Sequence, residues 1–598
     1  MARRSRLGEH EERQKMIIIG INAYHGDSSA CIIRDGQLIA AAEEERFRRV
    51  KHWAGFPSKS IEYCLHEAAL ALNDVDCLAI NRDPKANILR KISFAFSNRP
   101  DMALLTNRIK KARDWATIEE QVDKLFPGQH FRGKVMHVEH HLAHLGSAFL
   151  VSPFNEAVAL SVDGIGDFAS AAWGLGVNGS IDVDERIYFP HSLGIFYQAL
   201  TQYLGFPNYG DEYKVMGLAP YGRPLYMKEM HEIVNLLDDG TFRLNLEYFR
   251  HHKEKIEYEW DDGLPVPAML FTKKLEELLG PPRRKEDSVE SKHKDIARSV
   301  QALYEEAFFR LLNALHERYR RDAIVLAGGC AMNSVANGKI YDKSPFRKLY
   351  VQSAAGDAGG AIGAAYVAWS KHSASASPRY AMQHAYWGPS FSNEYIEKLL
   401  DEHSAKLKEE GCSVNRIDSE DKLCNQAAGA VADGKVVGWF QGRMEWGPRA
   451  LGNRSIVCDP RRADMKDILN SKIKRRESFR PFAPSILRRA VPEWFETDDD
   501  VPFMMQVFMI REEKRSSIPA VTHVDGTGRL QTVYADTNAR YYKLIESFER
   551  LTGVPIVLNT SFNENEPVVC TPDEALACFL RTKMDVLVLE NLYVTRNE

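Results

Sequence analysis

Two histidines four residues apart, His140 and His144 in the run His140-His141-Leu142-Ala143-His144, are the residues of this 598-residue chain whose spacing first suggests chemistry. On a helix such a pair projects from nearly one face, so both imidazoles can present nitrogen to a single ion while His141 points elsewhere. A carboxylate from Asp163, which opens the turn Asp163-Gly164-Ile165-Gly166-Asp167 after an apolar run, would complete a half-open set. Two histidines and a carboxylate with free positions suit iron(II), manganese or zinc in a catalytic role. The competing reading is a polar helix end whose histidines only cap and solvate. The acidic, glycine-rich turn favours the metal, and as a phosphate-binding turn it points to chemistry on a phosphorylated species.

A second concentration of chemistry is basic. The run Gln441-Gly442-Arg443-Met444-Glu445-Trp446-Gly447-Pro448-Arg449-Ala450-Leu451-Gly452-Asn453-Arg454-Ser455 is followed by Lys472-Ile473-Lys474-Arg475-Arg476-Glu477-Ser478-Phe479-Arg480-Pro481. Arginine forks grip phosphate bidentately and lysine adds a compact point charge, so loops this rich in both can hold a polyanion. A solvated basic surface is the alternative. Glycine, proline and aromatic residues between the charges argue against it, because solvated charge runs usually sit on regular helices. Arg529, in Asp525-Gly526-Thr527-Gly528-Arg529, and Ser561, in Asn559-Thr560-Ser561-Phe562-Asn563, add groups on turns that can contact a nucleotide.

The elements that must position these residues are legible in outline. Residues 17–22, 30–33 and 38–42 read as strands joined by a polar turn and an Asp35-Gly36 hairpin. Residues 157–187 repeat that plan, with the Asp163 turn and an Asn178-Gly179 hairpin, which predicts an internal duplication. Residues 323–326 form a buried strand feeding Ala327-Gly328-Gly329-Cys330-Ala331-Met332-Asn333, where glycines let backbone approach a nucleotide. Further on, Asp357 in Gly356-Asp357-Ala358-Gly359-Gly360 stands where a second carboxylate could meet the metal from the opposite half. Residues 223–320 read as a charged, helical insertion plus a supporting helix. A Ser-, Ala-, His- and Pro-rich stretch over 370–393 marks a boundary, after which a helix and a strand over 436–440 follow.

Composition narrows the class. Length implies two large domains, expected at residues 16–375 and 390–598, behind a disordered extension at 1–15. A net charge of −4 leaves no basic footprint for nucleic acid. Nine cysteines without CxxC pairs fit a reducing cytosol, and neither a spanning apolar run nor a signal sequence is present. The expectation is a cytoplasmic enzyme with no membrane and no nucleic-acid partner. Its state of assembly is open, with a homodimer as the candidate.

The duplicated strand plan resembles the ASKHA superfamily of actin-like ATPases and sugar kinases. With the basic motifs assembled, the chain from Met16 onward resembles the NodU/CmcH carbamoyltransferase family. That resemblance implies an α/β protein with a duplicated, TsaD-like ASKHA domain followed by a YrdC-like α/β domain. It implies that ATP and carbamoyl phosphate, with Mg, give carbamoyl-adenylate and pyrophosphate in the second domain. The first domain then transfers the carbamoyl group to a hydroxyl of a small-molecule, secondary-metabolite acceptor. Carried over, the family's iron(II) ligands fall on His140, His144, Asp163 and Asp357, and its nucleotide contacts on Gly328, Gly329 and Asn333. The carbamoyl-phosphate and ATP contacts fall on Arg449, Lys474, Arg480, Arg529 and Ser561, with Arg449, Lys474 and Arg529 assigned to catalysis. Relatives carry a catalytic histidine directly before the aspartate of the first acidic turn. Here the turn is His25-Gly26-Asp27, one residue longer, so His25 is the candidate base. Lys51 and His52 are further candidate contacts, against the alternative of a solvated strand end. Loops around residues 190–197 and 210–222 are expected to face the acceptor, and Lys214 or Met216 to support the core.

Rival readings are an ASKHA-type sugar kinase, which leaves the second domain unexplained, and a single-chain tRNA threonylcarbamoylation enzyme, disfavoured by domain order and the absent basic stripe. Hydrogenase-maturation carbamoyltransferases carry an acylphosphatase-like segment and CxxC zinc motifs, both absent here.

Overall fold

A computed structural model describes residues 16–98, 118–254, 258–261, 264–372 and 380–597. The expected extension at 1–15, and residues 373–379 of the expected boundary, lie outside the described residues.

β1 (Ile17–Asn22) is buried along its whole length, as its run of isoleucines dictates. It pairs antiparallel with β2 (Ser29–Arg34), which turns into β3 (Gln37–Glu43) through Asp35-Gly36, both at positive φ. Positive φ at both positions is what a tight hairpin of matching twist requires. β4 (Cys77–Ile80) and β5 (Lys134–His137) extend the sheet in parallel on the other side of β1, giving the order β3-β2-β1-β4-β5.

A second sheet repeats this. β6 (Glu156–Gly166), β7 (Ala169–Val177) and β8 (Ser180–Tyr188) form the antiparallel meander, turning at Asn178-Gly179, and β9 (Ala323–Ala327) and β10 (Lys348–Val351) add parallel beyond β6. Its order, β8-β7-β6-β9-β10, matches the first sheet strand for strand and sense for sense. The expected duplication is therefore present as topology.

Four helices surround the charged centres: α1 (His140–Phe149), α2 (Glu212–Leu218), α3 (Ser291–Tyr319) and α4 (Gly359–His372). α1 and α4 cross almost backbone to backbone, because both carry glycine at the crossing. A Cβ built on Gly363 would stand 1.7 Å from the Ala143 carbonyl oxygen, and one on Gly20 of β1 would stand 2.0 Å from the Ala361 oxygen. This close approach brings the start of α4 beside the first turn of α1.

The segment expected as purely helical contains two short hairpins, Val234–Leu236 with Phe242–Leu244 and Tyr258–Asp261 with Leu264–Pro267. Strands of three or four residues are too short for an alternation to register in sequence. α3 is the supporting helix, with Val300, Leu303, Tyr304 and Phe308 in the core.

The C-terminal half is a nine-stranded mixed sheet. Its strands are β11 (Cys412–Arg416), β12 (Val437–Phe440), β13 (Arg454–Cys458), β14 (Ala483–Leu487), β15 (Gln506–Met509), β16 (Thr527–Val533), β17 (Ile556–Ser561), β18 (Val586–Leu589) and β19 (Leu592–Arg596), ordered β11-β19-β18-β12-β13-β17-β14-β16-β15. β11 escapes sequence reading because it is an edge strand with an exposed, polar C-terminal half. The two halves share packing: Trp446, Leu451, Phe503 and Met504 join the core built around the duplicated sheets. At this junction Gly447 donates its N–H to Glu43 Oε1 at 2.7 Å and accepts from Arg46 Nη2 at 2.8 Å.

Gly363→Ala tests the helix crossing. Overpacking is expected to cost about 1–3 kcal/mol, read as a lower denaturation midpoint, whereas alanine at the open position Gly429, inside the helix Glu420–Ala432, should hold or raise the midpoint.

Candidate metal centre and cation cluster

The first turn of α1 points His140 and His144 at the end of β6 and the start of α4. Glu139 caps the helix by accepting the Leu142 N–H at 2.8 Å, which sets the rotation of that turn. The two Nε2 atoms are 3.0 Å apart. Asp163 Oδ2 is 3.1 Å from His140 Nε2 and 3.7 Å from His144 Nε2, and Asp357 Oδ1 is 3.7 and 3.4 Å from the same atoms. Ligands about 2.1 Å from an ion stand roughly 3.0 Å apart at right angles and roughly 3.4 Å apart at tetrahedral angles. The four donors are therefore spaced like the edges of one coordination shell, and they can hold a divalent ion.

The charges agree. Burial and the facing His144 push His140 down, yet Asp163 and Asp357 hold it above the ordinary imidazole range. Against the same burial, the two carboxylates raise His144 to about 9. Burial raises Asp163, but the two imidazoles outweigh it and draw Asp163 well below the usual carboxylate range. Asp357 is raised by burial and then by the charge of Asp163. Two imidazole nitrogens facing each other between two carboxylates call for positive charge at their centre, which a cation supplies. His141 turns away, its Nδ1 2.9 Å from Ser161 Oγ, as the helical spacing requires.

The glycines after β9 serve this centre. Gly329 donates its N–H to Asp163 Oδ1 at 2.7 Å, and Gly328, at φ 86, runs so close to β6 that a Cβ would stand 2.3 Å from the Val162 oxygen. Asn333 is occupied within the protein, accepting from Ala336 N–H and exchanging amide hydrogen bonds with Gln301. On the other flank, the turn between β1 and β2 brings the His25 ring within 5.4 Å of the His140 ring, centroid to centroid. Two residues on, Asp27 Oδ1 stands 2.7 Å from His52 Nδ1, and Glu45 accepts the His52 backbone N–H at 2.8 Å. Burial opposes the charge on His52, but Asp27 raises it to about 9. His52 is thus an anchored, ion-paired imidazole rather than a solvated strand end. Burial also lowers Lys51, which feels Arg480 and Lys214 across the junction.

The basic motifs separate into structural and free cations. Glu445 Oε1 accepts the N–H groups of Leu451, Asn453 and Arg454, folding the first motif around one carboxylate. Arg454 is buried, donates to four backbone carbonyls and stacks on Phe440, and Arg443 donates to the Gly388, Ile39 and Trp387 carbonyls. Arg449 and Arg529 have no hydrogen-bond or carboxylate partner among the described residues. Burial pushes Arg449 down to about 10; burial, then Arg449 and Arg476, push Arg529 far lower. Arg476, stacked on Phe482, is lowered to about 10 by burial and then by Arg480. Guanidinium keeps its proton in proteins, so these depressions mark charges held away from water, with repulsion from neighbouring cations added at Arg476 and Arg529; an anion among them would relieve both. Lys474 differs: its ammonium donates to the Ser561 and Asn563 carbonyls and to Asn563 Oδ1, and Ser561 Oγ stands 3.4 Å away. Its placement holds the turn after β17 rather than leaving the charge open. Arg476 is the member that sequence reading missed, since five basic residues in Lys472–Arg480 are equivalent until the fold separates them.

The carbamoyltransferase N-terminus family model matches residues 17–366 and the carbamoyltransferase C-terminus model matches residues 428–596. An uncharacterized protein of Synechocystis is 41% identical over 97% of this chain and 96% of its own length. Nodulation protein NolNO of Sinorhizobium fredii is 39% identical over 96% of this chain and 80% of its own, and nodulation protein NolO of Bradyrhizobium diazoefficiens 40% identical over 76% and 78%.

Metal analysis of purified protein is expected to find close to one equivalent of divalent ion, lost in His144→Ala and in Asp357→Asn; full retention in both variants would dissolve the site. For His52, a raised folded pKa means the ion pair stabilises fully below the ordinary 6.5 and fades as pH rises through about 9. The gap in thermal midpoint between wild type and His52→Gln should therefore narrow from pH 6.5 to pH 9.5, and a constant gap would refute the pairing.

Proposed function

The chain belongs to the carbamoyltransferase family, and on that premise we propose that it carries out ATP-dependent O-carbamoylation of a small-molecule hydroxyl in two half-reactions. The observation that carries this reading is the half-buried cluster of Arg449, Arg476 and Arg529, in which Arg449 and Arg529 have no carboxylate partner among the described residues, in a chain whose metal donors belong to the duplicated half.

In the first half-reaction water takes the phosphoryl group of carbamoyl phosphate as orthophosphate, leaving carbamate. A carbamate oxygen then attacks the α-phosphorus of ATP, and pyrophosphate leaves. Both substrates are anions, so their approach is uphill unless fixed cations offset the repulsion and align the attack. Arg449, Arg476, Arg480 and Arg529 fill that role, and Lys474 keeps Ser561 and Asn563 in place beside them. The product, carbamoyl-adenylate, is labile in water, which favours two active sites in one chain.

In the second half-reaction the acceptor oxygen attacks the carbamoyl carbon, the bond to adenylate breaks and AMP leaves. The hydroxyl proton goes to an imidazole, for which His25 is the candidate beside His140. His140, His144, Asp163 and Asp357 would hold the metal, taken as iron(II), which when bound supplies a Lewis acid for the adenylate phosphate. Gly329 orients one of its carboxylates. The duplicated sheets have the strand plan expected of an actin-like ATPase, and the acceptor belongs in this half.

Incubation with ATP and carbamoyl phosphate should release pyrophosphate; release of ADP would favour the sugar-kinase reading instead. Arg449→Met and Arg529→Met should each lower pyrophosphate formation by about 100-fold or more, while His144→Ala leaves it within about twofold and removes transfer. Equal loss in all three variants would contradict the division of labour.

A further inference from the structure

The segment that opens α2 touches both the His52–Asp27 pair and the cation cluster. At its start, Tyr209 packs edge-on against the His52 ring at 5.3 Å, and a Cβ on Gly26 would stand 2.4 Å from the Tyr209 hydroxyl. Four residues on, the Tyr213 ring lies under the Arg480 guanidinium, 4.9 Å from ring centroid to Cζ. Lys214 Nζ is 2.8 Å from Asp211 Oδ1 and 3.6 Å from Glu477 Oε1, while Glu477 Oε2 is ion-paired with Arg480 Nη2 at 2.6 Å. Sequence reading assigned this loop to the acceptor and Lys214 to core support. The geometry instead sets both residues against the cation cluster.

Two features set Tyr213 apart from a core residue. It is 39% exposed, and it lies within electrostatic reach of Arg449 and Arg476 as well as against Arg480. Lys214 has an equally definite effect. Lys214, tied to Asp211 and to the other oxygen of Glu477, fixes that carboxylate in place, and the Arg480 fork stays gripped between a carboxylate and an aromatic face.

We propose that Tyr213 and Lys214 are positioning residues of the anion-binding site, reaching from the duplicated half to orient Arg480, the tyrosine directly and the lysine through Glu477. This deepens the reading of that site as the place where ATP and carbamoyl phosphate react. The site is then composite, and the C-terminal sheet does not complete it alone.

Inorganic pyrophosphate, titrated calorimetrically into the full chain, tests the placement without presuming the reaction. Tyr213→Ala and Lys214→Ala should each weaken its binding about tenfold, whereas Tyr213→Phe and Lys214→Arg, which keep the ring and the charge, should stay within about threefold of wild type. Thermal midpoint and metal content should be unchanged in all four. In steady-state assays with ATP and carbamoyl phosphate, the alanine variants should show the same loss and the conservative ones the same rescue. Unchanged pyrophosphate affinity in both alanine variants, no pyrophosphate binding by wild type, or conservative variants as weak as alanine overturns the proposal. A wild-type chain that binds pyrophosphate through Tyr213 yet releases none from ATP and carbamoyl phosphate leaves this inference standing and refutes the proposed reaction.

Discussion

Glu43 and Arg46, both buried where β3 ends, clasp the N–H and the carbonyl of Gly447, and the joining of the two halves depends on that clasp. Each partner needs the others. Arg46 is ion-paired to Glu43 and Glu45, and a buried charge stripped of its partner costs roughly 3–5 kcal/mol. Gly447 is obligatory for two reasons: φ is 103, and a Cβ would meet the Ser353 carbonyl at 2.4 Å. From this point the chain leads one way to Lys51 and His52 and the other way to Arg449. The clasp therefore sets the distance between the chemistry of the duplicated half and the chemistry of the C-terminal sheet.

The two centres are electrostatic opposites. One gathers two carboxylates around two imidazoles and is complete with a cation; the other gathers guanidinium groups and is complete with an anion. Neither arrangement stabilises the bare fold, because burial raises Asp357 and lowers Arg449, Arg476 and Arg529. Local energy given up at buried charges is the usual mark of a site selected for binding rather than for stability. Cations that only support the fold look different here: Arg454 and Arg443 are saturated by backbone carbonyls, and Arg46 by carboxylates. That contrast separates structural from functional arginine in a motif where composition treats them alike.

The segment that opens α2 is in contact with the His52–Asp27 pair and with the anion site. Tyr209 leans on His52, whose backbone sits at positive φ, and Tyr213 carries Arg480. A segment that meets His52 just before the helix and an arginine fork in its first turn gives the duplicated half a direct hold on the anion site.

Much of this was legible in the order of residues. The spacing of His140 and His144, the acidic turn at Asp163, the repeated strand-turn-strand plan and the arginine-rich loops follow from short-range rules: helical periodicity, hairpin chemistry and charge type. Those rules have a range of a few residues. They could not say that Gly329 would donate to Asp163, that Lys474 would be enclosed by the turn after β17, or that Arg449 and Arg529 would be left without partners among the described residues. Nor could they place Tyr213 and Lys214 on Arg480, more than 250 positions away. The sequence by itself determined which side chains could do chemistry and which strands would carry them. Tertiary structure alone decided which charges are neutralised and which remain, because that depends on carbonyls, carboxylates and aromatic faces brought in from distant segments by packing.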